Sequence, residues 1–142
     1  MAEVIHAHPV ISGKAEGDLL VSLEPLSFWG GYDQNSGEII DRRHPLSGRI
    51  ASGCVLALPF TRGSSTTTAV LLEAVRVGVA PAALLSTGVE TYFALASILA
   101  KELYGRPLPV LALRREDFDV LALCQSAAIG RDGKIVLSSS QR

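Results

Sequence analysis

Residues 50–78 read IASGCVLALPFTRGSSTTTAVLLEAVRVG, and this stretch decides the fold. Its first part, residues 50–59, is an almost continuous apolar run bounded by turn residues. Such a run is typical of a strand that is buried on both faces of a sheet. After a polar, glycine-containing segment, Leu71 and Val75 recur at helical spacing, and Gly78 marks a helix end. The stretch therefore predicts a central strand, a loop and a helix.

The remainder of the second half continues this alternation of strand and helix. Apolar periodicity and turn residues predict five further elements. They are a strand at 82–86, a helix at 89–104 that ends at Gly105, a buried strand at 108–113, a short helix in REDFDVLAL (115–123) and a closing hairpin with Asp132-Gly133 as its turn. Asp-Gly between two apolar segments is a strong signal for a two-residue hairpin turn.

The first half is dominated by strands and turns. We predict strands at 3–11 and 17–22, followed by an ordered loop region over 22–48 that contains a short strand near 38–41. The loop region is dense in Gly, Pro, Asn, Asp and Ser, the residues that turns require. The sum is an α/β domain with a mixed sheet flanked by helices, and the length of 142 residues predicts one domain over 1–142.

Composition excludes several classes of function. The chain has 13 basic and 14 acidic residues, so it lacks the excess of positive charge that binding to nucleic acid or an anionic membrane requires. The longest uncharged stretch, 77–89, is too short for a membrane span, and the N-terminal sequence has no secretion signal, so we expect a cytoplasmic protein. Charged residues make up only 19%, and we expect a partner to cover part of the surface. Cys54 and Cys124 lie in apolar runs, where reduced thiols are expected.

The segment RGSSTTT (62–68) is the most informative candidate site. It lies where a central strand delivers the chain to a helix N-terminus, which is where open α/β sheets bind ligands. Unpaired N–H groups and the helix dipole favour an anion there, and Arg62 offers a bidentate contact to carboxylate or phosphate. Gly63 permits close approach of the backbone. The alternative is that Ser65 or Thr66 simply caps the helix.

A serine-hydrolase site is a second interpretation of the same loop. Asp41, His44 and Ser64 occur in an order that a catalytic triad can use. The sequence has no G-x-S-x-G elbow, however, and three such residues occur in almost any chain. This interpretation is therefore the weaker one.

Three other features have both a functional and a structural interpretation. His6 and His8 would project from one face of a strand, as a metal pair does, but no third ligand of matching spacing is evident. The WGGY segment (29–32) fits either a ligand-facing loop or a packed turn with a half-buried Trp29. The DRR run (41–43) fits a solvated face or an anion contact. The structural interpretation is the simpler one in each case.

Together, these segments resemble a known family. SFWGGYDQNSGEIIDRRHPLSG (27–48), the strand–loop–helix stretch and ELYGRPLPVLAL (102–113) are similar to the small subunit, or swivel domain, of the aconitase X group. The similarity extends from about Gly13 to Leu137. It implies the swivelling β/β/α fold of the aconitase superfamily. It also implies a hydro-lyase whose large subunit carries an iron or iron–sulfur centre, so that this chain binds no metal itself.

The resemblance also implies roles for the loop residues. A serine in the Gly-Ser-Ser loop is the base of the superfamily, and this role falls on Ser64, with Ser65 as a possible substitute. Arg62, Gly63 and Ser65 or Thr66 would then hold the carboxylate of the substrate. A serine hydroxyl is a weak base at neutral pH, so its alkoxide must be stabilised, which helix N-terminal amides and Arg62 can do.

The expected substrate follows from the same resemblance. Members dehydrate cis-3-hydroxy-L-proline or mevalonate 5-phosphate, and the segments SFWGG and GRPLPVLAL favour the former substrate. The resemblance also implies that this chain forms a heterodimer with a large subunit. For the phosphorylated substrate, Arg42 or Arg43 could supply further cationic contacts. An alternative of another class is a stand-alone anion-binding regulatory module without catalysis.

Overall fold

The computed structural model describes residues 2–62 and 65–139. Eight strands and three helices follow one another along this part of the chain. They are β1 (Ala2–His6), β2 (His8–Ile11), β3 (Ala15–Val21), β4 (Val55–Ala57), α1 (Thr66–Val77), β5 (Ala83–Thr87), α2 (Thr91–Tyr104), β6 (Val110–Leu113), α3 (Arg115–Leu121), β7 (Ser126–Ile129) and β8 (Lys134–Ser138). The predicted α/β architecture with a mixed sheet is confirmed.

The strands form one mixed sheet in the order β1-β8-β7-β3-β4-β5-β6-β2. Strands β3, β4, β5 and β6 are parallel to one another, and the other pairings are antiparallel. β3 pairs with β7 over Ala15–Asp18 and with β4 over Leu19–Val21. The first half of β3 thus belongs to the antiparallel part of the sheet, and the second half to the parallel part.

The single strand predicted over 3–11 is wrong, because the chain divides at Ala7 into two strands at opposite edges of the sheet. The Ala7 N–H donates to the Gly133 carbonyl at the tip of the β7–β8 hairpin (2.9 Å). Gly133 has φ +91°, and a Cβ there would collide with the Ala7 carbonyl. Since only one residue separates β1 from β2, the sheet must curl until its two edges meet.

Two clusters of buried residues cover the two faces of the sheet. Side chains of β4 alternate between them: Leu56 packs with α1 and α2, whereas Val55 and Ala57 pack with the face that α3 covers. All three are fully buried, which confirms the prediction of a central strand buried on both faces. β4 is shorter than the apolar run, since Ile50 forms only an isolated bridge and Ser52 and Gly53 lie in a turn.

The helix ends follow the predicted signals. α1 ends at Gly78, whose left-handed conformation (φ +93°) lets its N–H donate to the carbonyls of Ala74 and Val75. α2 ends in the same way at Gly105 but begins at Thr91, two residues later than predicted. The strand predicted near 38–41 is reduced to two isolated bridges, at Glu38 and Ile39. No helix in the described ranges combines the length and the hydropathy that crossing a bilayer requires.

Candidate functional site

The loop between β4 and α1 lies at the edge where the four parallel strands end. Its described part is fixed by the backbone, because Leu26 and Thr61 form a parallel bridge and the Arg62 N–H donates to the Leu26 carbonyl (3.0 Å). The loop therefore starts alongside the segment that follows β3. This edge is where open α/β sheets bind their ligands.

The N-terminus of α1 carries no group that neutralises its dipole. The N-cap residue, Ser65, makes no side-chain capping hydrogen bond, and the first turn contains no acidic residue. By contrast, Glu90 caps α2, and the first turn of α3 contains Glu116 and Asp117. Among the described helices, only α1 thus presents an N-terminus with neither a capping side chain nor a carboxylate. Such an end attracts an anion.

Arg62 lies beside this helix end. Its side chain is exposed, and within the described ranges its guanidinium makes no hydrogen bond or ion pair. The arginines of the helices are engaged instead: Arg76 pairs with Glu73, and Arg114 pairs with Asp117. Arg62 is therefore available to a carboxylate or phosphate ligand.

The structure brings together Arg62, Ser65 and Thr66, which are all exposed at this edge. The other two predicted site residues, Gly63 and Ser64, lie outside the described residues. Thr67 and Thr68 are buried and do not face the ligand side of the loop. The Thr68 hydroxyl donates to the carbonyl of Tyr92 (3.1 Å), so the start of α1 is tied to the start of α2.

His44 has a structural role that conflicts with the triad interpretation. Its Nδ1 accepts the N–H of Leu46 (3.1 Å), which places the proton of a neutral ring on Nε2. Nε2 lies 3.2 Å from the Glu24 carbonyl and 3.5 Å from the Ser22 hydroxyl. The Asp41 carboxylate accepts the N–H of Arg43 rather than a ring proton. Both ring nitrogens are thus engaged in holding the 41–46 turn against the end of β3.

The histidine pair is also separated by the fold. His6 ends β1 and His8 begins β2, so the expectation of two imidazoles on one face of a single strand is wrong. Residues 2–62 and 65–139 contain no group of three or more His, Cys, Asp or Glu side chains that could hold a metal ion. Cys54 and Cys124 are free, and burial raises the pKa of both thiols.

The WGGY segment combines a packed and an exposed aromatic residue. Tyr32 is buried, stacks on Phe28 and donates its hydroxyl to the Val79 carbonyl (2.9 Å). Burial raises the pKa of Tyr32 far above its usual range. Trp29 is 71% exposed, so the half-buried tryptophan of the packed-turn interpretation is wrong, although the turn itself is packed.

Trp29 belongs to a set of exposed apolar side chains at the carboxyl edge of the parallel strands. The others follow the ends of β3, β4 and β5 in turn; we call this set the apolar rim, and its members are Leu23, Trp29, Phe60 and Val89. Each is more than half exposed. Apolar side chains grouped in this way on a surface mark an interaction site. A cleft of about 580 Å³, in contrast, lies between β3, β7 and β8, and Arg62, Ser65 and Thr66 are not among the described residues that line it.

Sequence analysis did not identify Glu90 as part of this edge. Its carboxylate accepts two backbone N–H groups, one from Tyr92 in its own helix and one from Thr61 in the β4–α1 loop. The available signal was a glutamate at the N-cap, a position that Ser, Thr, Asp and Asn usually occupy.

Comparison with known proteins defines the family. Residues 4–137 match the family model of the aconitase X swivel domain. The chain therefore belongs to the aconitase X swivel-domain family, as the resemblance implied.

The curated relatives are dehydratases. Cis-3-hydroxy-L-proline dehydratase of Pseudomonas aeruginosa is 46% identical over 136 residues, which are 96% of this chain and 23% of that protein. The phosphomevalonate dehydratase small subunit of Methanothermobacter thermautotrophicus is 42% identical over 88 residues, which are 62% of this chain and 67% of the relative. This chain thus spans about a quarter of the bacterial relative.

A solved structure shares the architecture. Aconitase X of Thermococcus kodakaraensis, described as the holo-form, superposes with a TM-score of 0.80 at 26% identity. The match covers 95% of this chain and 98% of the other. The predicted swivel-domain fold is therefore confirmed.

Proposed function

We propose that this chain is the small-subunit, or swivel, component of a metal-dependent hydro-lyase that dehydrates cis-3-hydroxy-L-proline. The observation that carries the proposal is the α1 N-terminus, which lacks a side-chain cap and a carboxylate and follows shortly after Arg62, whose guanidinium has no ion pair with the described residues. Two adjacent anion-binding elements suit the carboxylate of an amino acid. The 46% identity with the Pseudomonas aeruginosa dehydratase supports this particular substrate.

In this proposal the loop performs a proton abstraction. Ser64, as an alkoxide, takes the proton from carbon 2 of the substrate, which is acidified by the adjacent carboxylate. The electron pair of that C–H bond forms the double bond to carbon 3, and the hydroxyl group on carbon 3 leaves as water after taking up a proton. The product is an enamine that tautomerises to a cyclic imine carboxylate. Arg62, Gly63 and Ser65 or Thr66 hold the carboxylate, and the dipole of α1 stabilises the alkoxide.

The expected iron or iron–sulfur centre does not fit the described residues of this chain. Within the two described ranges there is no cluster of three candidate ligands, and Cys54 and Cys124 lie in different parts of the fold. We therefore assign the centre to the large subunit and place no step of this chain's chemistry on it.

The apolar rim supports the existence of that large component. Its four side chains lie on the segments that follow β3, β4 and β5, at the edge that also carries Arg62, and in a lone chain they would remain in water. We propose that the large subunit of an aconitase X heterodimer covers the rim and thereby closes the site over a small carboxylate substrate. The relatives named as small subunits support such a partner.

A second candidate substrate is mevalonate 5-phosphate. Arg42 and Arg43 are exposed on the turn that His44 holds against the end of β3, at the same edge as Arg62. Neither guanidinium forms an ion pair with a residue of the described ranges. Two further cations at this edge suit a phosphate group. The archaeal small subunits that resemble this chain support the same alternative.

The test is a dehydration assay with both substrates. The chain is co-expressed with an aconitase X large subunit under conditions that preserve iron centres. We expect turnover of cis-3-hydroxy-L-proline only when both chains are present. Turnover of mevalonate 5-phosphate but not of cis-3-hydroxy-L-proline would overturn the proposed substrate. Failure of a metal-loaded complex with both compounds, combined with anion binding by the lone chain, would favour the regulatory module.

Replacement of the proposed base gives the sharper test. Ser64→Ala should lower kcat by about a thousandfold, the scale of removing a general base, and leave subunit association intact. Ser65→Ala is the comparison: because Ser65 is placed on the substrate carboxylate, this variant should raise KM more than it lowers kcat. If instead Ser65→Ala abolishes turnover and Ser64→Ala does not, the base is Ser65. A phosphonate probe should label neither serine, whereas labelling would support the hydrolase interpretation.

A further inference from the structure

The carboxylate of Glu90 joins two segments that are 29 residues apart. Its Oε1 accepts the N–H of Thr61 (3.0 Å), and its Oε2 accepts the N–H of Tyr92 (3.1 Å). Thr61 lies three residues before Ser64, and Tyr92 lies in the first turn of α2. One side chain thus links the start of the candidate site loop to the start of a helix.

The same helix turn also holds the other side of the loop. The carbonyl of Tyr92 accepts the hydroxyl of Thr68, in the first turn of α1 (3.1 Å). The residues that precede and follow Gly63-Ser64 are therefore both tied to residues 90–92. The start of the loop has a further backbone contact, since the Arg62 N–H donates to the Leu26 carbonyl (3.0 Å).

The residue type itself points to a role beyond capping. Glutamate is not among the favoured N-cap residues, because shorter side chains reach the N2 amide more easily. The longer side chain is needed for the second bond to Thr61, which aspartate, shorter by one methylene, cannot make from the same position. Because both oxygens accept backbone N–H groups, amide dipoles stabilise the negative charge of Glu90, which reduces its repulsion of a bound anion.

We propose that Glu90 is a positioning residue for the dehydration site: its carboxylate fixes Thr61 and so sets the placement of the adjacent Arg62 relative to the substrate. The proposal rests on the proposed function. Proton abstraction is sensitive to such placement, since a shift of about 1 Å can lower a rate about a hundredfold. Glu90 acts through the loop and does not touch the reacting atoms.

Glu90→Asp separates capping from positioning. Aspartate is a favoured N-cap, so the Tyr92 bond and the fold should be retained while the Thr61 bond is lost. In the assembled dehydratase we expect kcat to fall by about 10- to 100-fold, with a smaller change in KM. The matched control is Glu116→Asp, the same deletion of one methylene in the first turn of α3, which should leave kcat within about twofold.

A second readout does not depend on activity. Amide hydrogen exchange in the isotope-labelled chain should become at least about tenfold faster at Thr61 in Glu90→Asp and stay near wild type at Tyr92. An unchanged Thr61 amide, or a freed Thr61 amide with normal turnover, would overturn the positioning role alone. A wild-type assembly that dehydrates neither substrate would overturn the proposed function and this inference with it.

Discussion

Replacement of Trp29 by alanine should weaken binding of the proposed large subunit. The side chain is 71% exposed in the lone chain and belongs to the apolar rim around the candidate site. A tryptophan exposes up to about 250 Å², so a partner can bury about 180 Å² of it. At about 25 cal/mol per Å², complete burial corresponds to an upper limit of about 4.5 kcal/mol.

Part of that limit is lost to the ordering of the interface. A loss of about 2–4 kcal/mol is typical of a central aromatic residue, and 2 kcal/mol corresponds to a rise in Kd of about 30-fold. The fold should be unaffected, because the indole packs little within the chain. At saturating large subunit, kcat should therefore return towards the wild-type value.

Two leucines provide a matched comparison for the same assay. Leu23 in the rim is 63% exposed, and Leu103 in the last turn of α2 is 61% exposed. Leu103 lies about 18 Å along the helix axis from Thr91, away from the carboxyl edge. Leu23→Ala should raise Kd by about tenfold, for a loss of about 1.5 kcal/mol, and Leu103→Ala by less than about twofold.

Isothermal titration of the large subunit into each variant measures these changes. 5-Fluorotryptophan labelling adds a direct reading, since Trp29 is the single tryptophan of the chain and gives one ¹⁹F resonance that should shift on binding. Wild-type affinity in both Trp29→Ala and Leu23→Ala would refute the docking surface. Equal losses in Leu23→Ala and Leu103→Ala would place the interface elsewhere.

Two further predictions concern stability. Ser97→Ala should lower the free energy of unfolding by about 2–4 kcal/mol in urea titrations, because the buried hydroxyl donates to the Leu108 carbonyl (2.6 Å) and accepts its N–H (2.8 Å); the control Ser27→Ala should change it by less than about 0.5 kcal/mol. Burial raises the pKa of Tyr32, so its hydroxyl loses the proton at lower pH in the unfolded chain than in the folded one. The free energy of unfolding should therefore fall as pH rises above about 10, and it should fall less steeply in Tyr32→Phe.

Local signals account for what the sequence predicted well. The apolar run before Pro59, the stop at Gly78 and the hairpin at Asp132-Gly133 each depend on a few neighbouring residues. The structure has a buried strand, a helix end and a hairpin at these places, but the hairpin loop is longer than the predicted two residues, because the Gly130 N–H donates to the Lys134 carbonyl across it. The candidate loop was found in the same way, because a buried strand followed by polar residues and a helix defines its position. Its exposed Arg62 and uncapped helix start agree with that interpretation.

Long-range contacts account for what the sequence could not show. Nothing in the apolar pattern of 3–11 indicates that Ala7 meets the Gly133 hairpin and that the strand divides there. The separation of His6 from His8 follows from that division. The bond from Glu90 to Thr61 likewise spans 29 residues, and its only local trace is an unusual cap residue.

Departures from local stability rules are concentrated around the candidate loop. An uncapped helix start costs about 1 kcal/mol relative to a capped one, and α1 begins without a side-chain cap. The Thr67 hydroxyl is buried without a hydrogen-bond partner in the described ranges, which lowers stability by about 1–3 kcal/mol more. Other side chains near the loop are bonded to the backbone: the Glu90 carboxylate accepts the N–H groups of Thr61 and Tyr92, and the Thr68 hydroxyl donates to the Tyr92 carbonyl. A helix end left open to a ligand inside a rigid frame is the pattern expected of a binding site, where local stability gives way to function.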